Sequence, residues 1–577
     1  MISRIISFSL KQRLFIVLAT VIVAGLGILA FQRLPIDVFP DPSPPLVQIY
    51  TESEGMAPEE IERLISYPIE SSMFGLPSVK NIRSFSTFAL SLVNVYFEDN
   101  TDIYWARQLV SQRLLEVKDH IPAQAHNPVL GPIATGLGLV YLYYLESEDH
   151  SLLELRTIQD WLVKYELKSV PEVSQVLSIG GDIKQFQVLV NPNSLLKYSL
   201  TISDVTEKIK KNNQNIGASF ITKGKEEYIV RSLGLVQTLD DLGNIVIANF
   251  QGTPIYLKDV GSVQILPAIK RGAALSNGEG EKVVGMVLKL FGSNTAKVIK
   301  DIEERISEVN KSLPPGVTIV PFYNQASLVN KCFQTVSTNL AIGIILIIIV
   351  LFLFMGDFPS AIIAVFSLPF SILFTFIMMQ RINLAADLMS FGGLAIGIGL
   401  IADAAIIFVE NIHRHIQISH ESKVQAIVRA GEEVGRPLFF AIMIIILVFL
   451  PILTLTGVEG IMFRPMGYAI CFALVGSLIF TLVSAPALSH FFLRRKKTAT
   501  KEPFLIRKIK KTYLPFFLLC QKYRKRVFLI TFAVLIIGVV LLPFLGREYI
   551  PALEEGTLHL RTMFDPNISL QETITMA

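Results

Sequence analysis

The chain has few charges and few cysteines for its length. Only 17% of its 577 residues are charged, whereas 51% are hydrophobic, and this balance excludes an ordinary soluble protein of several domains. The three cysteines, Cys332, Cys471 and Cys520, are far apart in the sequence. They therefore predict neither a disulfide framework nor a zinc site. The composition indicates a membrane protein.

The sequence also lacks the motifs of common enzymes. The glycine-rich stretch at 277–281 has only two glycines and no Lys-Ser/Thr ending, and its acidic residues would repel phosphate. A turn before a strand is the simpler interpretation. No arrangement of nucleophile and base stands out, so we expect no enzyme activity, no cofactor and no nucleic-acid partner.

Seven apolar runs are flanked by basic residues and are long enough to cross a bilayer, which takes roughly 20 residues. They are 14–31, 340–355, 361–379, 388–409, 438–455, 468–492 and 527–545. The first run has no small-residue cleavage site before Pro35, which favours a retained helix over a signal peptide.

The basic residues predict the orientation of these helices. If each run crosses once, the basic loops at 411–436 and 494–526 lie on the same side as residues 1–13, and this side is cytoplasmic by the positive-inside rule. Residues 32–335 are then outside, and 546–577 begin a second outer segment. The stretch 504–523 alternates basic and apolar residues, as in a helix lying on the cytoplasmic membrane face or a plain basic linker.

The outer segment alternates helical and strand patterns. A helix is expected at 58–74, a strand region at 79–97 and a second helix at 103–120, and the same order recurs twice before residue 321. An α+β domain built from repeated βαβ units is therefore predicted.

The first and seventh runs resemble each other. They begin with Arg13-Leu-Phe-Ile and Arg526-Val-Phe-Leu, stay in register through Gly25 and Gly538, and leave the membrane through proline-containing stretches. This repeat predicts one half of a duplicated transporter followed by the start of the second half.

The fourth run contains an acidic residue, Asp403, and Glu410 follows seven residues later. At 100° per residue the two acids share one face of a helix. A carboxylate within lipid is costly and usually functional, so Asp403 is a candidate proton carrier, with an interhelical hydrogen-bonding role as the alternative. Glu410 is a second candidate, although it is near the cytoplasmic end and could simply face water.

Small residues precede Asp403. Gly393, Gly397 and Gly399 predict close packing by a neighbouring helix. We expect this packing to shelter the carboxylate of Asp403 and so disfavour its charged form.

The run from Gly392 to Arg414, with Asp403-Ala404-Ala405-Ile406 and Glu410-Asn411-Ile412-His413, resembles the fourth transmembrane helix of RND efflux pumps, most closely the heavy-metal branch of the Cus/Czc kind. Collinear matches extend through Leu34–Asp41, Gly75–Lys80, Ala106–Val110, Asn191–Asn193 and Leu313–Val317. Drug exporters typically carry two adjacent acids at the relay position. Here Ala404 follows Asp403, which favours the metal branch.

The resemblance implies an RND fold, here truncated, with a periplasmic porter domain and a location in the bacterial inner membrane. It further implies proton-driven export of a cation, with Asp403 as a relay residue and Glu410 as a second acid. The expected partners are protons, a metal cation, two more copies of the chain in a homotrimer, a periplasmic adaptor and an outer-membrane channel. Export of organic amphiphiles, and a fragment or split-pump subunit that transports nothing alone, remain alternatives.

The metal ligands are not identified by the sequence. In copper and silver pumps a methionine follows the stretch that resembles Glu555–Leu558, but Arg561 stands at this place and would repel a metal ion. His559 and Met563 are read as ordinary strand residues, and His413, His415 and His420 as solvated residues of the cytoplasmic loop.

Overall fold

The computed structural model describes residues 2–99, 101–250, 252–270, 272–355, 358–418, 421–494, 504–546, 557–560, 562, 564–565 and 568–577. Two compact units are present. The first comprises Met1–Tyr141, Leu288–Asp301 and Tyr323–Leu558, and the second comprises Leu142–Val287, Ile302–Phe322 and His559–Ala577.

The apolar runs lie in long helices of the first unit. These helices are Arg13–Arg33, Gln325–Met355, Phe358–Arg381, Leu388–Ile418, Lys423–Leu453, Gly457–Ile479 and Arg524–Leu541. Two further helices, Ile2–Lys11 and Phe504–Lys522, precede the first and the last of them. A π-turn at Phe480–Ser484 extends Gly457–Ile479 into Ala485–Phe492. Within the described residues, six helices are long and apolar enough to cross a membrane, and the predicted run 340–355 lies in Gln325–Met355. The polytopic helical fold is thereby confirmed.

Local sequence explains the packing of the first helix. Residues 1–13 were predicted only as a cytoplasmic N-terminus, but Ile2–Lys11 is a helix whose Ile6 is fully buried. A Cβ atom added to Gly431 would lie 2.4 Å from the Cδ1 atom of Ile6. Glycine at 431 is therefore what allows the N-terminal helix to pack against Lys423–Leu453.

Fourteen strands lie in the described residues. They are β1 (Leu46–Glu52), β2 (Val79–Thr87), β3 (Leu90–Phe97), β4 (Val129–Leu130), β5 (Leu139–Glu146), β6 (Val173–Ile179), β7 (Lys184–Val190), β8 (Ile216–Lys223), β9 (Glu226–Ser232), β10 (Val246–Phe250), β11 (Thr253–Tyr256), β12 (Gly261–Pro267), β13 (Val283–Lys289) and β14 (Thr318–Asn324).

The remaining described helices and helical turns are short, apart from two. They are Pro58–Ile61, Glu62–Ser66, Tyr67–Met73, Ile103–Val117, Lys118–His120, Gly136–Gly138, Leu152–Ile158, Gln159–Val163, Lys164–Lys168, Pro192–Lys197, Ile202–Asn212, Leu239–Gly243, Leu257–Val260, Thr295–Ser312, Leu542–Phe544 and Leu570–Met576. The longer two are Ile103–Val117, which begins where the side chain of Asp102 accepts a hydrogen bond from the backbone N–H of Trp105, and Thr295–Ser312.

Strands β1–β4 form a small α/β subdomain in the first unit. The strand order is β2-β3-β1-β4, and β3 pairs antiparallel with both β1 and β2. One helical segment connects β1 to β2 and another connects β3 to β4, which gives the βαββαβ order of a ferredoxin-like unit. Alternate residues of β1 and β3 are buried, because one face of this sheet packs against the helices.

The second four-stranded sheet repeats this topology. Its order is β14-β5-β13-β6, and helical segments connect β5 to β6 and β13 to β14. Between β6 and β13 the chain inserts β7–β12, which form two-stranded sheets β12-β7, β8-β9 and β10-β11. These subdomains confirm the predicted α+β fold with βαβ units.

Candidate functional site

The acidic residue Asp403 lies on the helix Leu388–Ile418, called here the Asp403 helix. This helix packs against Phe358–Arg381, Lys423–Leu453 and Gly457–Ile479. The face that meets them is made of small and apolar residues, among them Leu394, Ala405, Phe408 and Ile412, each fully buried. The neighbouring helices therefore fix the position of the Asp403 helix by close packing.

Gly393 allows the closest approach between these helices, and Gly397 lies on the same side in ordinary contact. A Cβ atom added to Gly393 would lie 2.6 Å from the carbonyl oxygen of Met466, and one added to Gly397 would lie 3.7 Å from the Cβ atom of Ala473. Gly393 and Gly397 thus face the helix Gly457–Ile479. Gly399 differs from the prediction, because a Cβ atom added there would meet no heavy atom of the described residues within 4 Å.

Asp403 is exposed in this chain, as are Gly399 and Glu410. Within the described residues, the contacts of Gly393 and Gly397 therefore do not shelter the carboxylate, and the sheltering of Asp403 remains a prediction. At 100° per residue, Gly393 and Gly397 lie roughly 80–120° around the helix from Asp403, whereas Gly399 lies roughly 40° away. The acid, its nearest glycine and Glu410 thus share a face that the described helices do not cover, and Ile396 on the same face is 54% exposed.

A polar cluster joins the C-terminal end of the Asp403 helix to Lys423–Leu453. Its centre is Glu433, whose carboxylate accepts hydrogen bonds from Arg414 at 3.1 Å and Asn411 at 3.3 Å. Nε2 of His415 lies 2.6 Å from Oε2, the oxygen that also accepts from Asn411. Asn411 also donates to the carbonyl oxygen of Ala430 at 3.0 Å, so this cluster ties the two helices together.

The interpretation of the histidines as solvated residues needs correction. His415 is held by Glu433, and Nδ1 of His413 lies 3.1 Å from the hydroxyl of Ser360. Both side chains are half-buried, because the packed helix extends more than two turns beyond Val409, to Ile418. His420 lies outside the described residues.

A buried carboxyl group, Asp387, precedes the N-terminal end of the Asp403 helix. One of its oxygens accepts a hydrogen bond from the backbone N–H of Ser390 at 2.7 Å, and the Ser390 hydroxyl accepts from the Asp387 N–H at 2.9 Å. Burial raises the pKa of Asp387 to about 6, against an ordinary value of 3.8, and the nearby charge of Asp37 adds to the rise. An acid before an apolar run is a common cap signal, and this could have identified Asp387 from sequence.

An ion pair that the sequence does not predict lies beside this end of the helix. Nζ of Lys289 lies 2.8 Å from a carboxylate oxygen of Asp37, and the Thr295 hydroxyl donates to the other oxygen at 2.6 Å. No local pattern joins residues about 250 positions apart, so no sequence signal was available for this pair.

No resident metal centre is found among the described residues: no group of three or more His, Cys, Asp or Glu side chains is placed to hold a metal ion there. His559 is exposed. Arg561 and Met563 lie outside the described residues.

A bundle of apolar helices and two ferredoxin-like subdomains define the fold of the RND class of transporters. A family model described as the AcrB/AcrD/AcrF family matches residues 5–577. The chain belongs to this family. The resemblance to its heavy-metal branch is confirmed by the relatives described next.

HelA of Legionella pneumophila is 40% identical over 592 residues, which cover all of this chain and 56% of HelA. The cobalt-zinc-cadmium resistance protein CzcA of Cupriavidus metallidurans is 39% identical, with 100% and 55% covered. A crystal structure of a heavy metal efflux pump matches with a TM-score of 0.85 and 30% identity, covering 99% of this chain and 55% of that one. The chain thus spans about half the length of the relatives it matches.

Proposed function

We propose that this chain serves proton-driven export of heavy-metal cations across a bacterial inner membrane. The observation that carries the proposal is the exposed carboxylate of Asp403 in the middle of an apolar, tightly packed helix. A charge there is stabilised only by water, a cation or a partner helix. When this carboxyl group takes up a proton it becomes neutral, and when it releases the proton it becomes charged again. The two states favour different surroundings, so the helix is expected to shift between them.

Asp403 is the proposed relay residue and Glu410 the second acid on the same face. Because Ala404 follows Asp403 and is buried, the relay position carries one acid in this helix. Relatives named for cobalt, zinc, cadmium and cation efflux support a metal as the exported species.

The residue at position 561 favours divalent cations over Cu(I). Cu(I) prefers thiolate and thioether ligands, and although the chain has 13 methionines, none of them is at this position. Arg561 stands where copper pumps carry a methionine. Zinc, cobalt and cadmium are therefore the cations to test first.

The proposed assembly is a homotrimer in the inner membrane that works with a periplasmic adaptor and an outer-membrane channel. Membership of the family supports this arrangement. Residues 32–335 would be periplasmic, and 411–436 and 494–526 cytoplasmic.

The function can be tested with Asp403→Asn expressed in the native genetic setting. The variant keeps the size of the side chain but cannot titrate, so we expect initial metal efflux to fall roughly 100-fold, the usual order for a lost proton-transfer group. Zinc, cobalt, cadmium and copper efflux are measured in parallel with organic cations, and membrane insertion is checked by immunoblot.

Ile396→Asn is the matched control, because it adds an amide to the same exposed face and keeps the acid. Unchanged efflux in Asp403→Asn would refute the relay role. Export of organic cations alone would identify an exporter of amphiphiles, and export of neither class by the wild type would identify a subunit that transports nothing.

A further inference from the structure

Lys289 carries a buried ammonium group at the end of β13. The residue is only 7% exposed, and its Nζ atom donates to a carboxylate oxygen of Asp37 at 2.8 Å and to the carbonyl oxygen of Ser293 at 2.9 Å. A buried charge without partners is strongly destabilising. Asp37 is therefore required wherever Lys289 is buried.

Asp37 uses both carboxylate oxygens to hold one segment of chain. The second oxygen accepts from the hydroxyl of Thr295 at 2.6 Å, and Thr295 is fully buried at the start of the helix Thr295–Ser312. Since the carboxylate is bound at two points, 289 and 295, it cannot move without moving this segment.

The backbone of Asp37 is bound to a different segment, the one that leads into the Asp403 helix. The Asp37 N–H donates to the carbonyl oxygen of Ala386 at 3.2 Å, and the Ala386 N–H donates to that of Pro35 at 2.8 Å. The Leu388 N–H donates to the carbonyl oxygen of Val38 at 3.1 Å. Three backbone hydrogen bonds thus attach residues 35–38 to the N-terminal end of the Asp403 helix.

We propose that Asp37 and Lys289 are positioning residues that transmit a displacement of the Asp403 helix to the segment Leu288–Asp301. The inference rests on the proposed function, because it requires a change of charge at Asp403 to shift the helix. A helix is stiff along its axis. A shift at Asp403 therefore reaches Ala386, passes to residues 35–38 through the backbone hydrogen bonds, and continues to Lys289 and Thr295 through one carboxylate.

A purely structural ion pair makes a different prediction. It would contribute to the stability of this region, but breaking it would leave the response to Asp403 unchanged. The readout must therefore be the transmitted response and not stability or activity alone.

The experiment is hydrogen–deuterium exchange of the full chain in lipid nanodiscs, with Asp403→Asn as a mimic of the protonated acid. Backbone exchange is followed at 384–394 and 288–301 in the wild type, Asp403→Asn, Lys289→Met and the double variant. We expect Asp403→Asn to change exchange in both regions by about threefold or more. When Asp403→Asn is added to Lys289→Met, exchange should still change at 384–394 but should no longer change at 288–301.

Asp37→Asn provides a second variant in case Lys289→Met does not fold, and it should reduce the response at 288–301 in the same way. Lys270→Met is the matched control. It breaks the ion pairs of Lys270 with Asp182 and Glu281, both at 2.7 Å, and should leave the response at 288–301 intact.

The coupling would be overturned if Asp403→Asn still changed exchange at 288–301 in both the Lys289→Met and the Asp37→Asn backgrounds. It would also be overturned if Asp403→Asn alone caused no change in exchange at 288–301. Either result leaves the relay role standing if Asp403→Asn still abolishes efflux. Retained efflux in Asp403→Asn would instead refute the proposed function.

Discussion

At the scale of single residues, the carboxyl groups of Asp387, just before the Asp403 helix, and of Asp403 itself have opposite environments. Asp387 is 2% exposed and caps the helix through Ser390, whereas Asp403 is exposed on a bare face. Burial of the first is compensated by hydrogen bonds from the helix end. The second has no described helix beside it, so its partners are water, lipid or another chain segment.

The buried carboxyl group predicts a specific pH dependence of stability. Its pKa of about 6 exceeds the ordinary 3.8, so the folded state holds the proton more tightly than the unfolded state does. The stabilisation from this group is complete below pH 3.8 and is lost as pH rises through about 6, by up to about 3 kcal/mol. Asp387→Asn should remove this dependence in thermal unfolding between pH 4 and 7.

Asp99→Asn is the control for this experiment. It makes the same substitution at an exposed position and should keep the wild-type pH dependence. If the unfolding midpoints of the wild type and of Asp387→Asn changed in parallel from pH 4 to 7, Asp387 would not be the group responsible for the pH dependence.

At the scale of the helix, glycine positions separate a packed face from a bare one. Gly393 lies against the backbone at Met466, whereas a Cβ atom added to Gly399 meets no heavy atom within 4 Å in the part of the chain that the structure describes. The sequence was sufficient to predict the helix and its acid, because an apolar run of this length with one carboxylate is distinctive. Which face each glycine occupies relative to Asp403 also follows from the helical repeat, but which face is covered depends on neighbouring helices that the sequence does not specify.

Alanine substitutions test this division of faces. Gly393→Ala would bring a methyl group within 2.6 Å of the Met466 carbonyl oxygen, so the helices must separate, and we expect destabilisation of about 1–3 kcal/mol. Gly399→Ala should be neutral or stabilise by up to about 1 kcal/mol, since alanine favours helix. The unfolding midpoint in detergent is the measurement, and equal midpoints for the two variants would contradict the packing.

Contacts between distant elements were beyond sequence reasoning. Glu433 joins two helices that are adjacent in sequence, yet its partners Arg414 and His415 at the end of the Asp403 helix have no characteristic spacing from it. The pair of Asp37 and Lys289 forms only when β13 meets the segment that follows the helix Arg13–Arg33. Such pairs depend on tertiary packing, which periodicity does not encode.

At the scale of the whole molecule, the confirmed fold leaves the orientation of the helices as a prediction. The orientation can be tested by cysteine labelling, because only three cysteines must be replaced to obtain a cysteine-free background. In that background, Ser203→Cys, exposed on the helix Ile202–Asn212, should react in spheroplasts with a membrane-impermeant maleimide. Lys508→Cys should react only after the membrane is permeabilised.

Labelling of Lys508→Cys in intact spheroplasts would reverse the predicted orientation. Both positions are exposed in the described residues, so a difference in labelling reports the side of the membrane and not burial.

The insertion in the second ferredoxin-like subdomain has a consequence for biosynthesis. In its sheet, β6 borders only β13, and β5 lies between β14 and β13, so neither early strand has a neighbour until about a hundred further residues have emerged. At 5–20 residues per second, this wait lasts roughly 5–20 s. The first subdomain closes its sheet by Leu130 and needs no such wait, so the nascent chain is most vulnerable to aggregation and to holdase capture between the completion of β6 and the arrival of β13.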